Sequence, residues 1–409
     1  MLAYFTFAYF FLLFLYILRK RGLDISACII GVYMLNALGS IYLLRNDVEY
    51  INKAPSLLPT IVYCSMITLV TYPFYKFNSN KVRVLPHANE KYFNIISWTL
   101  IVGFLFAVFL FKDDIVMRLA MGDEIGQLRG QGTKDLGNAQ AGLSGPLRFV
   151  SSIFMTIISM SAVSFILFFY SLSYLHKKWY FNALLFLSTL GCMVASVVGI
   201  DRSIFFYWII DFIFIYVLFR PYLTHRVKRI TLIFGSVLLV AAGAYLMVLT
   251  FSRFGDDSFD SIANYMGQSY LNFCWFWDNY EAPVANFGFF FPILSHFLGI
   301  DWGAPVDAVS FGWFVESKVG YFVNLFYTFM GTVMLYLGQW AVIPYCIGFT
   351  LVANKVLNAR RNFGIQSFIR VFIFAVIPYC GVILYLYIDY IRALGALFML
   401  YFCSLLAKH

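Results

Sequence analysis

The chain has 409 residues, 62% hydrophobic and 12% charged, with a formal charge of +9 and a mean hydropathy of +0.79. Soluble domains carry about 25% charged residues, and the apolar residues here gather into runs of roughly 17–25, the length that crosses about 30 Å of hydrocarbon. A soluble globular enzyme is excluded, and the positive charge, gathered mostly in short loops between apolar runs, makes no case for nucleic acid.

In chain order, spans are expected near 2–18, 25–44, 57–75, 93–111, 150–175, 180–199, 203–219, 230–251, 321–349, 368–386 and 392–407. These stretches are apolar on every side, unlike the striped helices of a soluble core. The first is followed by Arg19-Lys20-Arg21 with no small-residue cleavage site, so it reads as a retained span. With the N-terminus outside, the inner segments collect Arg19, Lys20, Arg21, Lys76, Lys81, Arg83, Lys91, Lys177, Lys178, Arg220, Arg226, Lys228, Arg229, Lys355, Arg360, Arg361 and Lys408. Only Asp24 and Glu90 oppose them, while the outer segments hold most of the acids, in keeping with the positive-inside rule.

The expected architecture is an all-α polytopic integral membrane protein, one membrane domain over 1–409, with about 11 transmembrane helices. Its two long loops, 112–149 and 252–320, face outward. The inner loops are short, and no G-x-x-x-x-G-K-[ST] phosphate loop occurs. Such a protein works on its outer face without ATP. In a bacterium that face is the periplasm, which lacks nucleotides and nucleotide-sugars; the N-terminus is then periplasmic and the C-terminus cytoplasmic.

Cys28, Cys64, Cys192, Cys346, Cys380 and Cys403 lie inside apolar runs, where cysteine behaves as a small hydrophobe, and Cys274 is left over in a loop. The five histidines show no metal-ligand spacing. No cofactor is expected.

The loop 112–149 sets Arg118, Arg129 and Arg148 among seven glycines. Glycine lets backbone approach a ligand closely, and guanidinium forks match phosphate oxygens; a flexible loop with solvated charges is the ordinary alternative. At 200–203, Ile-Asp-Arg-Ser joins two spans. Arg202 either pairs with Asp201 to close the turn or is held toward a cavity to meet an anion. Arg253, at the outer end of the next span, offers a second cation at the same depth, and the two make a diphosphate clamp.

In the loop 252–320, Asp260, Asn264, Gln268 and Asn272 recur every fourth residue, with Phe259, Ile262, Tyr265, Met266, Tyr270, Phe273 and Trp277 on the other side. This predicts an amphipathic helix over 259–277, with Asp257 or Ser258 as N-cap and Pro283 as stop. Four polar residues favour an interfacial position over a spanning one. A spanning 259–277 would put Arg360 and Arg361 outside. A second apolar stretch, 287–299, contains Pro292 and is too short to span. Trp275, Trp277, Trp302 and Trp313 in this loop form either a headgroup belt or platforms on which sugar rings stack.

Together, G-x-D-R-S opening a span, S-R-F-G closing the next, Tyr265-Met266-Gly267-Gln268-Ser269 in the helix that follows, and the later NLFYTFMGTVMLYLG at 324–338 resemble the O-antigen polymerase family of surface-polysaccharide biosynthesis. The likeness covers most of the chain as architecture. Where the family often has Asp-Phe-Gly, this chain has Tyr336-Leu337-Gly338, and Arg118 and Gly130 are twelve apart where some members show eleven.

The resemblance implies a GT-C-like, metal-independent glycosyltransferase in the bacterial inner membrane. Both its donor and its acceptor would be undecaprenyl-diphosphate-linked oligosaccharides, with membrane lipid and a chain-length regulator as partners. Arg202 and Arg253 would steady the departing diphosphate, helped by Arg129, Arg118 and Arg148. Asp201, Asp257, Asp260, Glu281, Glu316 and His296 are candidate bases, and Tyr265, Gln268, Trp275 and Trp277 would hold the glycan.

His296 also keeps a ligase of the O-antigen type open. The acidic pairs Asp123-Glu124 and Asp256-Asp257 leave room for a metal-dependent transferase. Asp211, the one clear acid in mid-span, is the feature a lipid-linked oligosaccharide flippase would share. An acyltransferase would want a histidine near the first spans, and none is there.

Overall fold

A computed structural model describes residues 1–46, 54–78, 89–120, 161–199, 203–254, 258–279, 317, 328–357 and 365–380. In order, the helices are α1 Leu2–Arg21, α2 Ile25–Asn46, α3 Leu57–Phe77, α4 Glu90–Leu110, α5 Lys112–Ala120 and α6 Ser161–Tyr170, which continues as a π-helical turn, Ser171–Leu175. There follow α7 Trp179–Ser188, α8 Gly191–Gly199, α9 Ser203–Phe219, α10 His225–Phe254, α11 Ser258–Asn279, α12 Thr328–Leu337, α13 Val342–Leu357 and α14 Ile365–Cys380. No strand occurs among the described residues, as befits a chain that must satisfy its backbone inside lipid. Among those residues, five stretches are long and apolar enough to cross a membrane: Leu2–Arg21, Ile25–Asn46, Leu57–Phe77, Glu90–Leu110 and Gln339–Leu357. The protein is a helical membrane protein.

The chain forms two compact units. The first comprises residues 1–81, 259–361 and 370–393. In it α1 and α3 run parallel, and α2 runs antiparallel to both. Tyr9 Oη lies 2.8 Å from Thr68 Oγ1, the Tyr16 and Tyr75 rings stack at 6.4 Å, and the Arg45 guanidinium sits 5.4 Å from the centre of the Tyr4 ring. Gly22, at φ 73, ends α1, and its N–H reaches Leu18 O at 2.9 Å. Three basic residues in that last turn suit the negative end of the helix. Asp24 then caps α2, its Oδ1 accepting from Ser26 Oγ (2.7 Å) and from the Ala27 N–H (2.9 Å). Burial pushes the Asp24 carboxyl above its ordinary range, against these two hydrogen bonds and the charge of Arg21. α13 follows the direction of α3, with Thr350 Oγ1 donating to Leu69 O at 3.1 Å.

One expected span moves. The run 321–349 is broken by Gly338, whose φ of 91 is open to glycine and strained for other residues. α12 stops at Leu337, and the stretch able to cross is Gln339–Leu357. Arg19, Lys20, Arg21, Lys76 and Lys355 thus fall in the last turns of parallel helices and share one end of the unit.

The second unit comprises residues 82–258, 362–369 and 394–409. Asn89 caps α4 by accepting from Lys91 N (3.1 Å), and Glu90 Oε2 pairs with Lys177 Nζ at 2.8 Å. The π-helical turn ends at His176, φ 48, whose N–H bonds Ser171 O at 2.8 Å. Asn182 ties this turn down, its Oδ1 accepting from Ser171 Oγ at 2.6 Å while its Nδ2 donates to Lys177 O at 2.9 Å. α6 and α9 run parallel through an aromatic seam: Phe165 on Trp208 (5.4 Å) and Phe212 (5.6 Å), then Phe169 on Tyr216 (6.1 Å) and Phe219 (5.9 Å).

The span expected at 180–199 is interrupted. Thr189 N and Leu190 N bond back three residues, to Phe186 O (3.0 Å) and Leu187 O (2.9 Å), and α8 restarts at Gly191. Of the span expected at 150–175, the described part begins at Ser161, and 392–407 lies outside the described residues.

Candidate functional site

The 22 residues of α11 would extend about 33 Å as an ideal helix. Both ends of α11 lie at the same end of the first unit. Asp260 Oδ1 accepts from Tyr42 Oη (2.8 Å), four residues before α2 ends, and Asp278 Oδ1 accepts from Ser56 Oγ (2.9 Å), the residue that opens α3. The helix lies across the bundle and does not run through it, and its two acids stand opposite the cationic end.

Its seat is deeper than an interfacial helix requires. Between Gly267 and Trp277 every residue except Trp275 is buried, and the polar stripe goes in with the apolar one: Gln268 is 1% and Asn272 0% exposed. The crossing is made by glycine on glycine. A Cβ on Gly267 would collide with the Gly39 carbonyl carbon, and one on Gly39 would lie 2.9 Å from Gly267 N. Such close approach lets side chains of α2 bond the α11 backbone: Asn36 Nδ2 donates to Met266 O at 2.5 Å and Ser40 Oγ to Gly267 O at 2.6 Å. One turn on, Tyr270 Oη lies 3.1 Å from Thr6 Oγ1 and 2.8 Å from Thr60 Oγ1, while Tyr63 Oη donates to Asn36 Oδ1 at 3.1 Å. Burial pushes the Tyr270 phenol and the Cys274 thiol upward, so both stay neutral at ordinary pH. The groups that meet in this seat are amides, hydroxyls, a thiol and backbone carbonyls, all uncharged.

The residues expected to hold glycan are divided by this arrangement. Tyr265 and Trp275 are half-buried on α11, whereas Gln268 and Trp277 are buried. Trp277 packs edge-on against Trp340 at 5.5 Å. The Gln339 amide bridges the same pair, its nitrogen donating to Trp277 O (2.9 Å) and its oxygen accepting from Trp340 Nε1 (3.3 Å). Arg253 falls in the last turn of α10 and Arg118 in α5. Arg202, Asp201, Asp257, Glu281, Glu316, His296, Arg129, Arg148, the pairs Asp123-Glu124 and Asp256-Asp257, and the stretch 287–299 lie outside the described residues.

The second unit holds a different set of polar groups, gathered at the break between α7 and α8. Ser188 Oγ lies 3.1 Å from Ser164 Oγ, Trp208 Nε1 donates to Thr189 Oγ1 at 3.2 Å, and Cys192 Sγ donates to Thr189 O at 3.5 Å. Beside them is Asp211, in the middle of α9 and 9% exposed, whose Oδ2 accepts from Ser161 Oγ at 3.1 Å. Cys192 is in reach of both Ser161 and Asp211. No cation among the described residues pairs with Asp211. Sequence marks Asp211 by its place in an apolar run, but nothing local marks Ser161, 50 residues earlier, as its partner. Among the described residues no three His, Cys, Asp or Glu side chains come together as metal ligands would.

Neither protein-family models, nor curated proteins, nor solved structures provide a match to this chain.

Proposed function

We propose that the chain is an oligosaccharide repeat-unit polymerase of surface-polysaccharide biosynthesis, with about eleven spans and a GT-C-like plan. The observation that carries the reading is α11. The Tyr265-Met266-Gly267-Gln268-Ser269 segment, part of the resemblance to the O-antigen polymerases, is a fixed helix across the acid-bearing end of the first unit, with Tyr265 and Trp275 partly open on it. On the outward assignment of that end, these two half-buried side chains lie on the face that a glycan carried on a lipid would approach.

In the proposed reaction a hydroxyl oxygen of one lipid-linked repeat unit attacks the anomeric carbon of the other. The bond from that carbon to the lipid diphosphate breaks, the diphosphate leaves with the electron pair, and the hydroxyl proton passes to a base. Guanidinium groups set in place before reaction stabilise the charge that grows on the diphosphate without reorganising solvent; Arg202 and Arg253 have that role here, with Arg118, Arg129 and Arg148 behind them. The test uses purified protein and lipid-linked repeat units, with Arg202 and Arg253 changed singly to Ala and to Lys. A ladder of polymer lengths from the wild type and its loss in both Ala variants is expected. Full activity in both Ala variants overturns the clamp, and a single transfer in place of a ladder points to a ligase.

A second reading, a transporter of lipid-linked oligosaccharide, is favoured by Asp211 at an interrupted helix, an arrangement that transporters use at their binding sites. Movement of a labelled lipid in proteoliposomes with no new glycosidic bond would support it over the polymerase.

A further inference from the structure

Asp211 sits about 12 Å along α9 from either end, and apart from Ser203 the rest of that helix is apolar or aromatic. A carboxylate so placed is strongly disfavoured unless a cation accompanies it, and the described residues supply none. α6 offers Ser161. α8 offers the thiol of Cys192. α10 carries no Asp, Glu, Lys, Arg or His between Ile230 and Ser252. Arg220, in the turn after α9, comes nine residues after Asp211, more than two helical turns away. From the end of α7 and the break after it come only Ser188 and Thr189, whose hydroxyls do not ionise at ordinary pH.

Two features act in the opposite sense and support the ionised form. Ser161 Oγ donates to Oδ2, and the break at Thr189–Leu190 starts a new helix, α8, whose positive end lies within the same cluster. Oδ1 has no hydrogen-bond partner among the described residues, and a tenth of the residue's surface stays open. Burial thus favours the acid while a hydroxyl donor and a helix N-terminus favour its conjugate base. A desolvated metal ion needs a shell of oxygen ligands with charge to match it, and beyond the carboxyl the described cluster offers only neutral groups, the hydroxyls of Ser161, Ser164, Ser188 and Thr189 and the carbonyl of Thr189.

We propose that Asp211 is a reversible proton site inside the membrane, its carboxyl giving a proton to water and taking one back while Ser161 and the start of α8 hold the anion. This stands whether the chain joins glycans or moves them, because the test reads the carboxyl and neither activity.

The probe is dicyclohexylcarbodiimide, which partitions into the membrane and modifies protonated carboxyls, applied to the full-length protein in liposomes from about pH 5 to about pH 9, where a buried carboxyl can titrate. Mass spectrometry of the peptide containing Asp211 gives the rate. Modification of Asp211 is expected, with a rate falling ~tenfold per pH unit above its midpoint. Asp211→Asn removes the adduct. Ser161→Ala, which takes away the donor to the anion, moves the midpoint to higher pH and leaves the adduct in place. If Asp211→Asn does not fold, the wild-type profile and Ser161→Ala still decide. Absence of the adduct across the range, or a rate independent of pH, overturns the proposal. So does protection by sodium chloride but not by choline chloride at fixed pH, which would assign a metal cation.

Discussion

The two units differ in the polar groups that they bury where their helices cross. In the first, neutral amides and hydroxyls from α1, α2 and α3 meet the backbone and Tyr270 of α11, and each bond ties one helix to another. In the second, a carboxyl lies at a helix break, its Oδ2 bonded to Ser161 amid further neutral groups. Neutral polar groups inside a membrane protein serve as glue worth about 0.6 to 2 kcal/mol per contact. An ionisable group there is a poor adhesive and marks a working site. The contrast separates a scaffold from a site using chemistry alone.

The sharpest way to break this contrast is at the glycine crossing. Gly267→Ala puts a methyl group into the Gly39 backbone and should destabilise the protein by about 3 kcal/mol or more, read as a lowered unfolding midpoint in mixed detergent. Gly39→Ala, with its nearest contact at 2.9 Å, should lose less, and equal losses would argue against a backbone-on-backbone seat. Tyr270→Phe removes the hydroxyl between Thr6 and Thr60 and should lose about 1 kcal/mol in the same measurement. Cys274, buried with its thiol pushed upward, should react with a water-soluble maleimide roughly a hundredfold more slowly than an exposed cysteine at about pH 7.5, and unfolding in detergent should restore the rate. Rapid labelling of the native protein would mean that α11 lifts out of its seat.

The smallest effect concerns Asp24. Its folded carboxyl binds a proton more tightly than the unfolded one, so its contribution is most favourable below the unfolded value near 3.8 and declines as pH rises through the raised folded value. Asp24→Asn keeps the helix cap and removes the charge. It should flatten the decline of thermal stability that sets in as pH rises above about 3.8.

The first four spans were legible because run length and all-round hydrophobicity are one-dimensional signals, and α11 was legible from the start signal at Asp257-Ser258 and a four-residue polar period. The direction in which that polar stripe faces was not. A polar stripe can face water or the interior of a bundle, and what buries Gln268 and Asn272 is the close approach at Gly39, far away in sequence. Likewise, a lone glycine in an apolar run gives no warning of the φ at Gly338 that divides 321–349. Of the expected site, Tyr265 and Trp275 keep partly open faces, Gln268 and Trp277 are built into the bundle, and the arginine clamp rests on the sequence pattern.

The glycine crossing also constrains how the protein comes into being. Ser40 and Gly267, which it joins, are 227 residues apart, so at about 5–20 residues per second of synthesis the ribosome needs roughly 10–45 s to deliver one to the other. Through that interval Asn36, Ser40 and Thr60 stand in a groove without their eventual occupant. Any delay in translation before residue 258 lengthens that interval.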